Sequence, residues 1–153
     1  MAQHGLTVER VIDLLGLVPL EGEGGRYRET WRLTGPDGTA QATAIYYFLT
    51  PDTFSEIHRL PDAELYHFYL GDPVDLLLLH PDGMVRRQVL GQDLLHGMAV
   101  QFLVPGGVWQ GSRLRDGGEF ALMGTTMTPG FRFEAYERGE RDALTRTYPD
   151  AVS

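Results

Sequence analysis

The sequence predicts a mainly β domain, a sandwich or barrel preceded by one short helix. Three observations carry that expectation. Short runs rich in β-branched and aromatic residues recur every 8–12 residues. Turn residues separate them: Gly35-Pro36-Asp37-Gly38, Gly71-Asp72-Pro73, Pro81-Asp82-Gly83, Gly106-Gly107, Asp116-Gly117-Gly118 and Pro129-Gly130. Near the N-terminus alone the apolar residues repeat at three and four.

That repeat, Val8, Val11, Ile12 and Leu15, predicts a helix over about 7–17, with Thr7 as N-cap and Gly16 and Pro19 as terminators. The acidic, Gly-rich stretch from Glu21 to Gly25 reads as a loop. From Tyr27 the period changes to two, with Arg28, Thr30 and Arg32 alternating with Glu29, Trp31 and Leu33. Further strands are expected at 42–49, 64–70, 74–80, 84–90, 100–104, 109–114, 120–127 and 131–136. The barrel then occupies about 27–137. The charged tail 138–153 is a short helix or a frayed end, and residues 1–153 form a single domain.

Composition removes several function classes. The net charge is −8, whereas a nucleic-acid partner calls for a basic surface. With no Cys, thiolate chemistry and disulfides are excluded. All 13 basic residues are Arg, so no lysine Schiff base can form. No run reaches the ~20 apolar residues of a membrane helix, and the N-terminus lacks the pattern of a signal peptide. A cytoplasmic protein with neither nucleic-acid nor membrane partners is expected.

The segments LEGEGGRYRETWR (Leu20–Arg32), AIYYFL (Ala44–Leu49), SEIHRLPDAELYHFYLGDP (Ser55–Pro73), QFLVPGGVWQGSRL (Gln101–Leu114) and ALMGTTMTPGFRFEAYE (Ala121–Glu137) appear in order along nearly the whole chain. In them the chain resembles the cupin superfamily, and more closely its DUF985 (cupin_5) subgroup. The resemblance implies a double-stranded β-helix, or jelly roll, with a pocket inside the barrel and a homodimeric assembly. It also implies a metal site in ordinary members, built from two His and one Glu of a first motif and a His of a second. Here Glu64 holds the Glu position, His58-Arg59 stands near the paired His, and Gln110 replaces the last His. Glu21-Gly22-Glu23-Gly24-Gly25 stands where the subgroup commonly has His-Pro-Glu-Gly-Gly, so any role of that His is absent.

Parity then assigns faces. Glu64, Tyr66, Phe68 and Leu70 share one side of a strand, and Leu65, His67 and Tyr69 the other. An inward Glu64 is a buried carboxyl with a raised pKa, or a structural partner of an inward Arg. His58, near the position of the general base in cupin-fold sugar epimerases, is the candidate base, or else holds a loop through a backbone hydrogen bond. Arg59 could bind an anionic group or pair with Asp62 or Glu56. Tyr46, Tyr66, Gln101, Trp109 and Gln110 complete the candidate substrate contacts, the aromatics having core packing as their alternative role. His67 is expected to face away unless a bulge near Glu64 turns it inward, and His4, His80 and His96 to lie at the surface.

Three functions follow. The leading one is a small-molecule-binding barrel with metal-independent proton transfer, epimerase- or isomerase-like, in which His58 and Glu64 act on a small polar or sugar-like molecule and no cofactor is needed. The second is a lyase or dioxygenase holding a divalent transition metal through His58, Glu64 and Gln110. The third is a non-catalytic binder or sensor.

Overall fold

A computed structural model describes residues 5–151; His4 lies outside them. Helix α1 (Val8–Leu15) starts at Thr7, whose hydroxyl accepts from the Arg10 amide at 3.2 Å, and ends at Gly16, in the left-handed region at φ 64°. It is two residues shorter than expected at its C-terminal end. Val11 and Ile12 pack on Phe48, Phe120 and Leu122 outside the barrel wall.

Eleven strands follow among the described residues: β1 (Val18–Pro19), β2 (Arg26–Thr34), β3 (Ala40–Leu49), β4 (Phe54–Arg59), β5 (Glu64–Gly71), β6 (Val74–Leu79), β7 (Val85–Leu90), β8 (Gln101–Val104), β9 (Trp109–Leu114), β10 (Ala121–Met127) and β11 (Glu137–Arg138). One sheet has the order β1-β2-β3-β10-β5-β8 and the other β11-β4-β9-β6-β7, with every strand pair antiparallel. Their inner faces meet as two packed layers. Tyr47, Leu49, Tyr66, Phe68 and Met123 from the first sheet pack on Val74, Leu76, Leu78, Leu90 and Leu114 around the second. Burying each such side chain contributes about 1.5–3 kcal/mol, so period-two alternation fixes which face of each strand turns inward.

Two segments differ from the sequence expectation. Residues 54–59 form β4, paired with β9 and β11, so His58 lies within a strand of the second sheet. Residues 131–136, expected as a strand, instead make an extended approach and a single 3₁₀ turn (Phe133–Ala135) closed by Ala135 N–H to Arg132 O at 3.0 Å. The tail carries helix α2 (Arg141–Thr147). No helix among the described residues is long and apolar enough to cross a membrane.

Candidate functional site

Parity delivers Glu64 to the interior. β5 pairs with β10 in regular register from Met127↔Glu64 to Met123↔Phe68, and the irregularity falls only after that, at Tyr69. Glu64, Tyr66 and Phe68 therefore point inward, and His67 points out, where Nε2 lies 3.0 Å from the Thr126 hydroxyl.

Three side chains fix the Glu64 carboxyl. The Tyr66 hydroxyl donates to Gln110 Oε1 at 2.7 Å. That contact orients the amide, so Gln110 Nε2 donates to Glu64 Oε1 at 3.1 Å. Thr125 supplies a further hydrogen bond. Burial raises the Glu64 pKa from 4.5 to about 7, and the nearby Glu23 charge adds to the rise. His58 and the hydrogen bonds from Thr125 and Gln110 oppose it only in part.

Glu23 is the second interior carboxyl, in the acidic, Gly-rich stretch that the sequence marks as a loop. The loop between β1 and β2 is drawn onto the barrel by its glycines. Gly24 has φ +103°, and a Cβ there would collide with the Phe54 carbonyl; one on Gly25 would strike the Tyr47 hydroxyl, which donates to Gly24 O at 2.6 Å. The Glu56 amide donates to the Glu23 carbonyl at 2.8 Å. The Glu23 side chain is thereby turned inward, where Ser55 Oγ donates to Oε2 at 3.2 Å. Burial raises its pKa from 4.5 to about 7, against the hydrogen bond from Ser55. The signal for it was present in the sequence: the third position of Glu-Gly-Glu-Gly-Gly keeps the Glu of the His-Pro-Glu-Gly-Gly pattern.

His58 stands behind Glu23. Its Nδ1 lies 2.7 Å from the Glu56 carbonyl, which only accepts, so Nδ1 carries the hydrogen. Nε2 is then the free lone pair, 3.8 Å from Glu23 Oε1, a proximity and not a hydrogen bond. The ring is stacked on Tyr136, with centroids 4.9 Å apart. Burial lowers its pKa below the ordinary 6.5 and keeps the imidazole neutral near pH 7, although Glu56 and Glu64 favour the charged form.

The two carboxyls face one cavity of about 310 Å³. Glu23, Glu64 and Thr125 form its buried floor, Leu20, Ile45, Met127 and Phe131 its apolar walls, and Glu29, Arg32, Arg132 and Glu134 its exposed rim. Of the eight residues picked out in the sequence, Glu64 is the one that lines this cavity. Tyr66 and Gln110 lie behind it as supports, and His58 behind Glu23.

The other four point elsewhere. Arg59 is outside the barrel, paired with Glu137 at 2.7 and 3.0 Å and stacked 4.4 Å above the Trp109 ring, so neither reaches the cavity. Strand β3 turns Ile45 and Tyr47 inward and Tyr46 outward, against the α1 layer and edge-on to Tyr69. Gln101 pairs with His67 in register and shares its outer face, with Nε2 3.3 Å from His67 Nδ1. His96 is exposed and bonded to Asp93 at 2.7 Å, and His80 lies at the β6–β7 turn.

The residues considered for a divalent metal do not fit one as arranged. Gln110 turns its N–H, not its oxygen, toward Glu64, and its oxygen is taken by Tyr66. Nε2 of His58 is directed at Glu23. Among the described residues no group of three His, Asp or Glu side chains is placed to hold an ion.

Comparison with known proteins agrees with this architecture. The family described as Cupin superfamily (DUF985) matches residues 9–138. The chain belongs to that family. It is 33% identical to the uncharacterized yeast protein YML079W (Saccharomyces cerevisiae), over 86% of this chain and 76% of that one. A Shewanella oneidensis protein of known structure shares 32% identity at a TM-score of 0.87, covering 95% of this cupin and 92% of its own chain. A hypothetical protein from Leishmania major shares 30% at 0.84, covering 95% and 94%. Bacillus subtilis oxalate decarboxylase, whose Mn(II) centres have been studied, aligns at 14–15% identity and TM-scores of 0.58–0.59, over 90% of this chain and 35% of that enzyme. That likeness is one of fold alone.

Proposed function

We propose that this cupin binds a small polar molecule in the barrel and moves a proton on it without a metal, in the manner of an epimerase or isomerase. One observation carries the reading: two buried carboxyls, Glu23 and Glu64, face one cavity, and each is held near pKa 7. Like charges in one low-dielectric site do not both ionise readily, so near neutrality one carboxyl keeps its proton while the other is ionised. An acid and a base are then present together, each matched to the working pH.

The geometry supports a division of labour. The ionised carboxyl takes a proton from a carbon beside a carbonyl, and the protonated one donates to the substrate oxygen or to the opposite face. Tyr66 and Gln110 hold Glu64 in place. His58 is a positioning residue, its neutral imidazole stacked on Tyr136 and set 3.8 Å behind Glu23. A pure binder would need neither carboxyl to titrate near neutrality. The exposed apolar residues Trp31, Leu33 and Leu103, on the outer face of the six-stranded sheet, support a homodimer, which light scattering at several concentrations tests.

The test of function is solvent exchange. A panel of small keto sugars and hydroxy ketones is incubated with the protein in D₂O and followed by ¹H NMR. Deuterium is expected at a carbon beside the carbonyl, with the rate falling at least ~10²-fold in Glu64→Gln or Glu23→Gln, the usual cost of losing a general acid or base. A panel member that binds yet never exchanges, or exchange indifferent to both substitutions, contradicts the proposal.

A further inference from the structure

The charges around the cavity are arranged asymmetrically. Its deep part holds Glu23 and Glu64, and the basic residues in its lining, Arg32 and Arg132, are both at the exposed rim. Arg32 is already held by Glu29 through two bonds of 2.8 and 3.0 Å, and Glu134 adds a further carboxylate beside it. The lining thus carries four carboxyls against two guanidiniums, and nothing basic reaches the floor. The imidazole behind Glu23 is neutral near pH 7 and supplies no counter-charge.

Buried ionised carboxyls are costly unless paired. A ligand that brings a cation to the floor therefore gains more than a neutral one, and an anion loses. The walls add a second preference. Tyr27, Phe131 and Phe133 are the aromatic residues of the lining, the last two packed edge to face with centroids 5.2 Å apart. Aromatic faces attract an ammonium as well as an alkyl or ring framework. The volume, about 310 Å³, is at the small end for ligand pockets and suits a monosaccharide-sized molecule.

We infer that the natural ligand of this cavity is a compact molecule bearing a protonated amine, of the amino-sugar or amino-alcohol class, its ammonium against the ionised carboxyl at the floor and its framework against the aromatic residues of the lining. This rests on the cavity being the ligand site, as proposed above. It sets the site apart from one built for oxyanions, which would place its cations at the floor.

Three ring-matched probes test it: glucosamine, glucose and glucuronate, titrated into the full-length protein by calorimetry at pH 7 and at two salt concentrations. Glucosamine is expected to bind at least ~10-fold tighter than glucose, roughly one desolvated charge contact, and glucuronate more weakly than glucose. Glu64→Gln and Glu23→Gln should each shrink the preference for amine over neutral sugar at least ~3-fold. Glu9→Gln, exposed on α1 and away from the cavity lining, should leave it in place, because a distant exposed charge is screened by solvent. Glucose or glucuronate binding as tightly as glucosamine overturns the inference. So does an amine preference that survives both floor substitutions, or no binding of any probe. Proton transfer is judged separately by the deuterium assay, so the ligand class can fail while that reading stands.

Discussion

Glu64→Gln is a perturbation whose sign reverses the usual expectation for a buried side chain: it should stabilise the protein at alkaline pH. In the fold this carboxyl titrates at about 7 instead of its ordinary 4.5. Below pH 4.5 both folded and unfolded states are protonated, and the group costs nothing. Between 4.5 and 7 the unfolded chain gives up its proton while the fold retains it, so stability falls as pH rises. Above 7 the whole difference is lost, about 3 kcal/mol at about 1.4 kcal/mol per pKa unit. The amide has the same shape, can still accept from Gln110, and carries no charge to desolvate. Removing the Glu64 charge also removes the repulsion between it and Glu23. His58 works in the other direction: its lowered pKa makes stability fall as pH drops below 6.5, and that contribution largely cancels in the difference between variant and parent. Urea melts from pH 4.5 to 9 measure this difference. The curves should nearly coincide at pH 4.5 and separate through pH 7. At pH 8.5 the variant should be higher by about 2–3 kcal/mol, or roughly 5–10 °C in Tm for a chain of this size. Parallel profiles across the range would refute the reasoning, because Glu64 would then titrate as an ordinary carboxyl.

Other substitutions probe the supports. Tyr66→Phe leaves the Gln110 oxygen buried without its donor and should cost about 1–3 kcal/mol in urea melts, with weaker ligand binding as Glu64 loses its brace. Gly24→Ala puts a methyl group against the Phe54 carbonyl at φ +103°. It should cost more than ~1 kcal/mol and weaken any Glu23-dependent binding in the same calorimetric titration. Arg59→Ala should change stability by no more than about 1 kcal/mol, since its pair with Glu137 is solvent-exposed. It should leave ligand affinity unaltered, whereas a loss of binding would return Arg59 to the site.

The strands were legible because alternation is a property of the chain. Glu64-Tyr66-Phe68 could be placed inside from alternation alone, and the bulge at Tyr69 falls too late to disturb them. Ala44 to Leu49 defeated the same logic, because that strand is apolar on both faces: α1 covers Tyr46 and Phe48 from outside while Tyr47 fills the barrel. The site was half legible. Glu64, Gln110 and Tyr66 were identified, but their hydrogen-bonded order makes two of them supports. Arg59 and Trp109 follow a motif yet face outward, where Glu137 waits 78 residues further along, a pairing no local pattern reveals. Glu23 was hidden because a Gly-rich acidic stretch reads as solvent loop; its burial comes from backbone contacts with Phe54, Glu56 and Tyr47 that form only once the barrel closes.

The account stands on Glu23 and Glu64 sharing protons near neutrality at the floor of one cavity. Protein labelled with ¹³C at the glutamate carboxyls, titrated by NMR and assigned with Glu23→Gln and Glu64→Gln, measures this directly. Two resonances should titrate near pH 7, each removed by one substitution, and each substitution should lower the midpoint of the surviving partner. Two carboxyls titrating near 4.5, or titrating independently of one another, would contradict it.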